Sequence, residues 1–232
     1  MNREIIVQNL SKHYGNFAAV KDVSFHVKSG EIFGFLGPNG AGKSTTVSML
    51  TTLILPTSGE AIVGGYDVVH QAAAVRRIAG VALQEIGLDP LMKPMELLTI
   101  QARLFGASPQ QARRRAMELI ELVRLDDAVD RRVGQYSGGM RRRLDLALAL
   151  AHQPSILFLD EPTTGLDPAS RRDIWNEVRR LNRQQGMTIF LTTQYLEEAD
   201  ELANRVAIID GGLIATEGAP AELKRNLGGE AI

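Results

Sequence analysis

Short apolar runs alternate with stretches of helical spacing along most of this 232-residue chain. The pattern predicts strands at Glu4–Leu10, Val23–Val27, Glu31–Leu36, Glu60–Val63, Ile78–Leu83, Ile156–Leu159, Thr188–Leu191, Val206–Ile209 and Leu213–Glu217. Ile156-Leu157-Phe158-Leu159 and Val206-Ala207-Ile208-Ile209 are continuous apolar runs, as expected of strands covered on both faces. The first strands and the last hairpin alternate more and read as antiparallel pieces with one wet face. Strands interleaved with helices predict an α/β fold with a mostly parallel core sheet and an antiparallel β subdomain.

Between about Pro94 and Ala151 the strand signal disappears. Ser108-Pro109-Gln110-Gln111 has the composition of a helix start, with Ser at the N-cap, Pro at the first helical position and Gln two later. Ala112, Ala116, Leu119, Ile120 and Val123 then recur on one helical face. A second helix follows Pro168, with Ile174, Val178 and Leu181 inward and Gly186 as its stop. There is no repeat, low-complexity tract or linker. The expectation is one unit over residues 1–232, with an α-helical subdomain at about 88–150 inserted in the α/β core.

Composition narrows the chemistry. A chain this long buries roughly 70–75% of its unfolded surface and needs no metal or disulfide to fold. With no cysteine, thiol nucleophiles, disulfides and Cys-based metal sites are excluded. His13, His26, His70 and His152 have no metal-ligand spacing. Basic and acidic residues nearly cancel, 26 against 27, which argues against a nucleic-acid partner. No apolar run reaches the ~18 residues of a bilayer span, and Met1-Asn2-Arg3-Glu4 leads straight into a strand pattern without a signal-peptide core. These features predict a cytoplasmic protein.

Gly37-Pro38-Asn39-Gly40-Ala41-Gly42-Lys43-Ser44 fits the G-x-x-x-x-G-K-[ST] phosphate loop. It follows the strand ending at Leu36 and precedes a helix carrying Val47, Leu50 and Ile54. Glycines there let successive amides converge on phosphate oxygens at the positive end of a helix. Lys43 would place its charge on the β and γ phosphates, and Ser44 would offer its hydroxyl to Mg²⁺. The alternative is a glycine-rich turn that binds nothing, which the strand–loop–helix context disfavours. Asp160 and Glu161 follow the apolar strand Ile156–Leu159, at the carboxyl end where open α/β sheets bind ligands. Adjacent carboxylates point different ways, so Asp160 can serve Mg²⁺ while Glu161 polarises the attacking water. Taken alone, the pair could equally be two surface acids in a turn.

Tyr136-Ser137-Gly138-Gly139-Met140 resembles the signature of ABC-transporter ATPases, usually Leu-Ser-Gly-Gly-Gln. The resemblance runs in order from about Leu10 to Gly218. It implies a P-loop NTPase (RecA-like) fold, ATP and Mg²⁺ as cofactors, and ATP hydrolysis. By that resemblance Tyr14 stacks on adenine, and Gly37, Pro38, Asn39, Gly40, Ala41, Gly42, Lys43, Ser44 and Thr45 cradle the nucleotide. Gln84 ends a strand beside the metal, so Ser44, Gln84 and Asp160 are the metal residues and Glu161, Lys43 and Gln194 the catalytic ones. Thr164-Gly165-Leu166-Asp167 matches the loop that touches a partner subunit. Ser137 reads as an N-cap with Gly138 and Gly139 exposing amides, a second phosphate half-site best used on a partner's ATP.

The chain departs from the family pattern at Met140 and, more consequentially, at Gln194, where a histidine usually stands. Gln194 can donate an amide hydrogen bond but cannot carry charge, so hydrolysis is expected to depend on Glu161 while Gln194 senses the γ-phosphate. Residues 136–146 and 192–200 most resemble daunorubicin-resistance-type ATPase subunits of ABC-2 exporters of drugs or lipids. The resemblance implies a dimer, homo- or hetero-, driving a separate integral-membrane permease from the inner face of the membrane. An ABC-type ATPase acting on nucleic acid and a weakly hydrolysing regulatory module are the alternatives. Such exporters usually continue past this length, so the end at Leu227-Gly228-Gly229-Glu230-Ala231-Ile232 suggests a short member or a trimmed chain. The arginine clusters 113–115, 141–143 and 171–172 read as solvated helix faces, and Trp175 as packing.

Overall fold

The computed structural model describes residues 2–228; Met1 and residues 229–232, which include most of the C-terminal end marked above as short, lie outside the described residues. Two sheets carry the fold. The first is antiparallel and contains β1 (Ile5–Tyr14), β2 (Phe17–Val27), β4 (Ser58–Val63) and β5 (Tyr66–Asp67), in the order β2-β1-β4-β5. The second contains β3 (Ile32–Leu36), β6 (Ala79–Ala82), β7 (Ile156–Asp160), β8 (Thr188–Thr193), β9 (Arg205–Asp210) and β10 (Leu213–Gly218). Its order is β10-β9-β3-β8-β7-β6, parallel throughout except for β10, which folds back antiparallel on β9.

The central strands are apolar on both faces because each face has its own core. Phe33, Phe35, Phe158 and Phe190 share the core under the antiparallel sheet; Phe25 packs on Phe33, Phe35 and Phe190, and Phe158 on Phe190, ring centroids 5.5–5.8 Å apart. Ile32, Leu157, Leu159, Ile189 and Leu191, the alternate positions, point into the opposite core with Trp175, Val178 and Leu181. Those last residues come from α6 (Pro168–Gln185), which is capped by Asp167 and stopped by Gly186 at φ 59.

No strand interrupts the stretch from β6 to β7. Helix α2 (Ala72–Ile78) leads into β6, and the stretch itself holds α3 (Pro94–Leu104), α4 (Pro109–Leu122) and α5 (Gly138–Ala149). Helix α4 begins as its sequence predicts: Ser108 Oγ accepts from the Gln111 amide, and Gln111 Oε1 accepts from the Ser108 amide. Both early strands run longer than the apolar pattern suggests, because polar Lys12 and His13 pair with Val20 and Ala18 to extend the hairpin to its tip.

Candidate functional site

Parallel strands deliver their following loops to one sheet edge, and here the order matters. Strand β8 lies between β3 and β7, with Leu36 opposite Thr193 and Asp160 opposite Thr192. The phosphate loop after β3, Gln194 after β8, the acidic pair at the end of β7 and Gln84 just past β6 therefore stand side by side.

The loop is held close to its surroundings. The Gly37 amide donates to the Thr193 carbonyl, and a Cβ on Gly37 would sit 2.2 Å from the Ile209 carbonyl oxygen. Gly42 has φ 105, and its Cβ would meet the Ala19 carbonyl at 2.6 Å, so both positions require glycine. Helix α1 (Lys43–Leu50) starts at once, with no side-chain cap on its first amides. Lys43 is buried, and its Nζ donates to the carbonyls of Gly37 (2.8 Å) and Pro38 (2.9 Å) and pairs with Glu161 Oε1 at 3.0 Å.

Glu161 is 5% exposed and has φ 48, uncommon for a non-glycine residue. Its amide donates to the carbonyl and hydroxyl of Thr192, which fixes the bend. Its Oε2 accepts from Gln84 Nε2 (3.3 Å) and Thr164 Oγ1 (3.1 Å). Asp160 points the other way, and its Oδ1 accepts from the Thr192 hydroxyl at 2.5 Å. The adjacent carboxylates thus have separate environments: one faces the lysine, the other the end of β8.

A cleft of about 320 Å³ is lined by Tyr14, Asn39, Gly40, Gly42, Lys43, Ser44, Thr45, Gln84 and Glu161, together with Phe17 and Ala19. Tyr14 stands half exposed at the hairpin tip, opposite Phe17. Gly37, Pro38, Ala41, Asp160 and Gln194 adjoin this cleft through the chain and sheet neighbours just given but are not part of its lining. Ser137, Gly138 and Gly139 lie elsewhere. Ser137 caps α5, its Oγ accepting from the Met140 amide at 3.2 Å, and Ser137 and Gly138 are exposed. A Cβ on Gly139 would come within 2.5 Å of Ser170 Oγ, so the signature packs against the start of α6. Thr164, Gly165 and Asp167 are exposed beside it. One chain therefore carries a phosphate loop and, away from it, a second helix start whose Ser137 and Gly138 are exposed.

Several residues here carry no motif. Phe17 forms part of the cleft wall, and Thr192 holds both acidic residues. Glu198 on α7 (Leu196–Leu202) is 1% exposed; its Oε1 accepts from Thr163 Oγ1 and Trp175 Nε1, both at 2.9 Å, and burial raises its carboxyl above the ordinary range. Trp175 is thus packing and donor together. The arginine clusters need a correction: Arg113, Arg141 and Arg172 are exposed as expected, but Arg142 is buried at 4% exposure. Its guanidinium donates to the carbonyls of Leu83, Asp160 and Pro162 and pairs with Asp145 at 3.1 Å. Burial lowers the Arg142 pKa and pushes the Asp145 carboxyl up to about 6. Helical phase could have found it, since Gly139, Arg142, Leu146 and Ala149 share one buried face.

Comparison with known proteins places the chain in a family. A family model described as ABC transporter matches residues 20–164. The doxorubicin resistance ATP-binding protein DrrA of Mycobacterium tuberculosis is 50% identical over 226 residues, covering 97% of this chain and 68% of the relative. The daunorubicin/doxorubicin resistance ATP-binding protein DrrA of Streptomyces peucetius is 48% identical, covering 99% and 69%. Among solved structures, an ATP-binding cassette dimer in a post-hydrolysis state bound to ADP and Pi superposes with a TM-score of 0.85 at 27% identity, covering 93% of this chain and 98% of that one.

Proposed function

The chain belongs to the ABC transporter family as one of its ATP-binding, ATP-hydrolysing members, and on that premise we propose that it is the motor of a drug or lipid exporter. In this reading it closes as a dimer around two ATP, reopens after hydrolysis, and drives a separate integral-membrane permease from the inner face of the membrane. No helix among the described residues is long and apolar enough to cross a bilayer, so the substrate path is assigned to that permease.

The observation that carries the reading is the Lys43–Glu161 pair, joined at 3.0 Å where the phosphate loop meets the end of β7. Incoming β and γ phosphates compete for Lys43 Nζ, which already has two carbonyls in place to aim it. Releasing Lys43 leaves Glu161 Oε1 free to accept a hydrogen bond from a water aligned with the γ-phosphorus, while Gln84 and Thr164 hold Oε2. Water oxygen bonds to phosphorus as the bond to the ADP oxygen breaks. Glu161 receives the water proton, and phosphate leaves. Catalysis is chiefly positioning and charge neutralisation.

The residues also suit Mg²⁺. Ser44, Gln84 and Asp160 supply hydroxyl, carboxamide and carboxylate oxygens, the hard donors this ion takes alongside substrate phosphates. Among the described residues no His/Cys/Asp/Glu cluster could hold a metal without such help. The ion would neutralise charge on the β and γ phosphates. Tyr14 and Phe17 supply aromatic faces at the cleft mouth for the adenine. Gln194, following β8 beside the loop, donates to the γ-phosphate as its sensor. Ser137, Gly138 and Gly139 cover the ATP of the second ATPase subunit.

Steady-state ATP turnover of the purified chain, with and without DNA and beside Glu161→Gln, tests the reading. Turnover that needs Glu161 and ignores DNA supports it. DNA-stimulated turnover would favour the nucleic-acid alternative, and turnover unaffected by Glu161→Gln overturns the choice of base. Unchanged turnover in Gln194→Ala would remove the sensing role.

A further inference from the structure

Arg142 lies outside the phosphate loop, the acidic pair and the signature, yet its side chain touches the segments that hold the attacking-water geometry. Nε donates to the Pro162 carbonyl and Nη2 to the Asp160 carbonyl, each at 2.9 Å, so the guanidinium brackets Glu161 from both sides along the chain. Nη1 donates to the carbonyl of Leu83, the residue before Gln84, and also reaches Asp145 Oδ2 at 3.1 Å. The circuit closes on the far side, where Gln84 Nε2 donates to Glu161 Oε2. These acceptors come from the ends of β6 and β7, while Arg142 and Asp145 both belong to α5, whose first turn is the signature.

Only a planar, five-donor guanidinium can serve three carbonyls in different segments at once, and a neighbouring carboxylate keeps it oriented. The Arg142 and Asp145 side chains are 5% and 15% exposed, so water does not stand in for these contacts. A displacement of ~1 Å at a reacting group can cost ~10²-fold in rate.

We propose that Arg142, oriented by Asp145, is a positioning residue for hydrolysis: it fixes Glu161 and Gln84 relative to each other and ties both to the signature helix of the same chain. This rests on the ATP-motor reading. In it, the helix that presents the signature to the partner's nucleotide also holds this chain's own base in place.

The test uses the full chain and compares wild type, Arg142→Lys and Asp145→Asn. Equilibrium ATP binding in EDTA counts the folded sites, and turnover is expressed per bound nucleotide. Arg142→Lys keeps the charge but cannot span the three carbonyls. It should bind ATP within about threefold of wild type, while kcat per site falls at least about tenfold and KM moves little. Asp145→Asn keeps an acceptor for Nη1 and should lose about threefold in kcat per site. A purely structural role would lower the number of sites and leave kcat per site unchanged; that result overturns the proposal. Parallel loss of binding and turnover does the same. If Arg142→Lys fails to fold, Asp145→Asn decides: wild-type kcat per site overturns the proposal, and a reduced value supports it. A wild-type chain that binds ATP without hydrolysing it overturns both readings, whereas active wild type with unaffected variants overturns this one alone.

Discussion

Lys43 and Glu161 neutralise each other across a buried contact, and the proposed mechanism requires ATP to break that pair as it binds. Glu161→Gln removes one charge from a contact of 3.0 Å between side chains 3% and 4% exposed. The gross attraction at this distance is about 5 kcal/mol in an effective dielectric of ~20. Breaking a buried pair typically costs about 3–5 kcal/mol. The cost here should be smaller, about 2 kcal/mol, because Lys43 keeps the Gly37 and Pro38 carbonyls and glutamine retains a hydrogen-bond acceptor. At this chain length that corresponds to a melting temperature lower by about 4–8 °C without nucleotide. The phosphates replace the lost charge once ATP binds, so the same free energy reappears as affinity: ATP should bind roughly 10- to 30-fold more tightly than to wild type. Thermal melting with and without ATP in EDTA, paired with a binding isotherm, measures both sides. Equal melting temperatures without nucleotide, together with equal ATP affinities, would refute the exchange of partners.

Other perturbations separate the roles of neighbouring groups. Trp175→Phe removes one of two donors to the buried Glu198 Oε1, which should cost about 2 kcal/mol in denaturant unfolding and leave the KM for ATP within about twofold. Tyr14→Ala should raise that KM about tenfold, while Tyr14→Trp keeps it near wild type, because an aromatic face on a base is worth about 1–3 kcal/mol. For Asp145, the folded-state value of about 6 stands above the ordinary 3.8, so its contribution to stability is complete below pH 3.8 and is lost as pH rises through 6. That rise corresponds to about 3 kcal/mol. The stability of wild type relative to Asp145→Asn should therefore decline across this window and then level off.

The sequence revealed most where the structure uses periodicity or local chemistry. The apolar run Ile156–Leu159, the Ser108 capping box and the Gly186 stop each reflect residues that act within one element, and each appears where expected. The order β3-β8-β7 was not legible, because it depends on which strand inserts between which, yet it brings Gln194 between the phosphate loop and the acidic pair. The hairpin tip was missed because Lys12 and His13 are polar residues recruited by pairing, and Phe17 was lost from the cleft with it. Arg142 was hidden differently. Its partners are backbone carbonyls that no side-chain pattern reports, and only the helical phase it shares with Gly139, Leu146 and Ala149 sets it apart from the two flanking arginines.

The central claim is that one chain holds two halves of different ATP sites. Light scattering of Glu161→Gln, with ATP present and absent, tests it most directly. The account predicts a 25.3-kDa monomer without nucleotide and a dimer once ATP is added, and it predicts that adding Ser137→Arg abolishes the dimer while ATP still binds. A monomer with ATP bound, or a dimer indifferent to both ATP and Ser137, would contradict it.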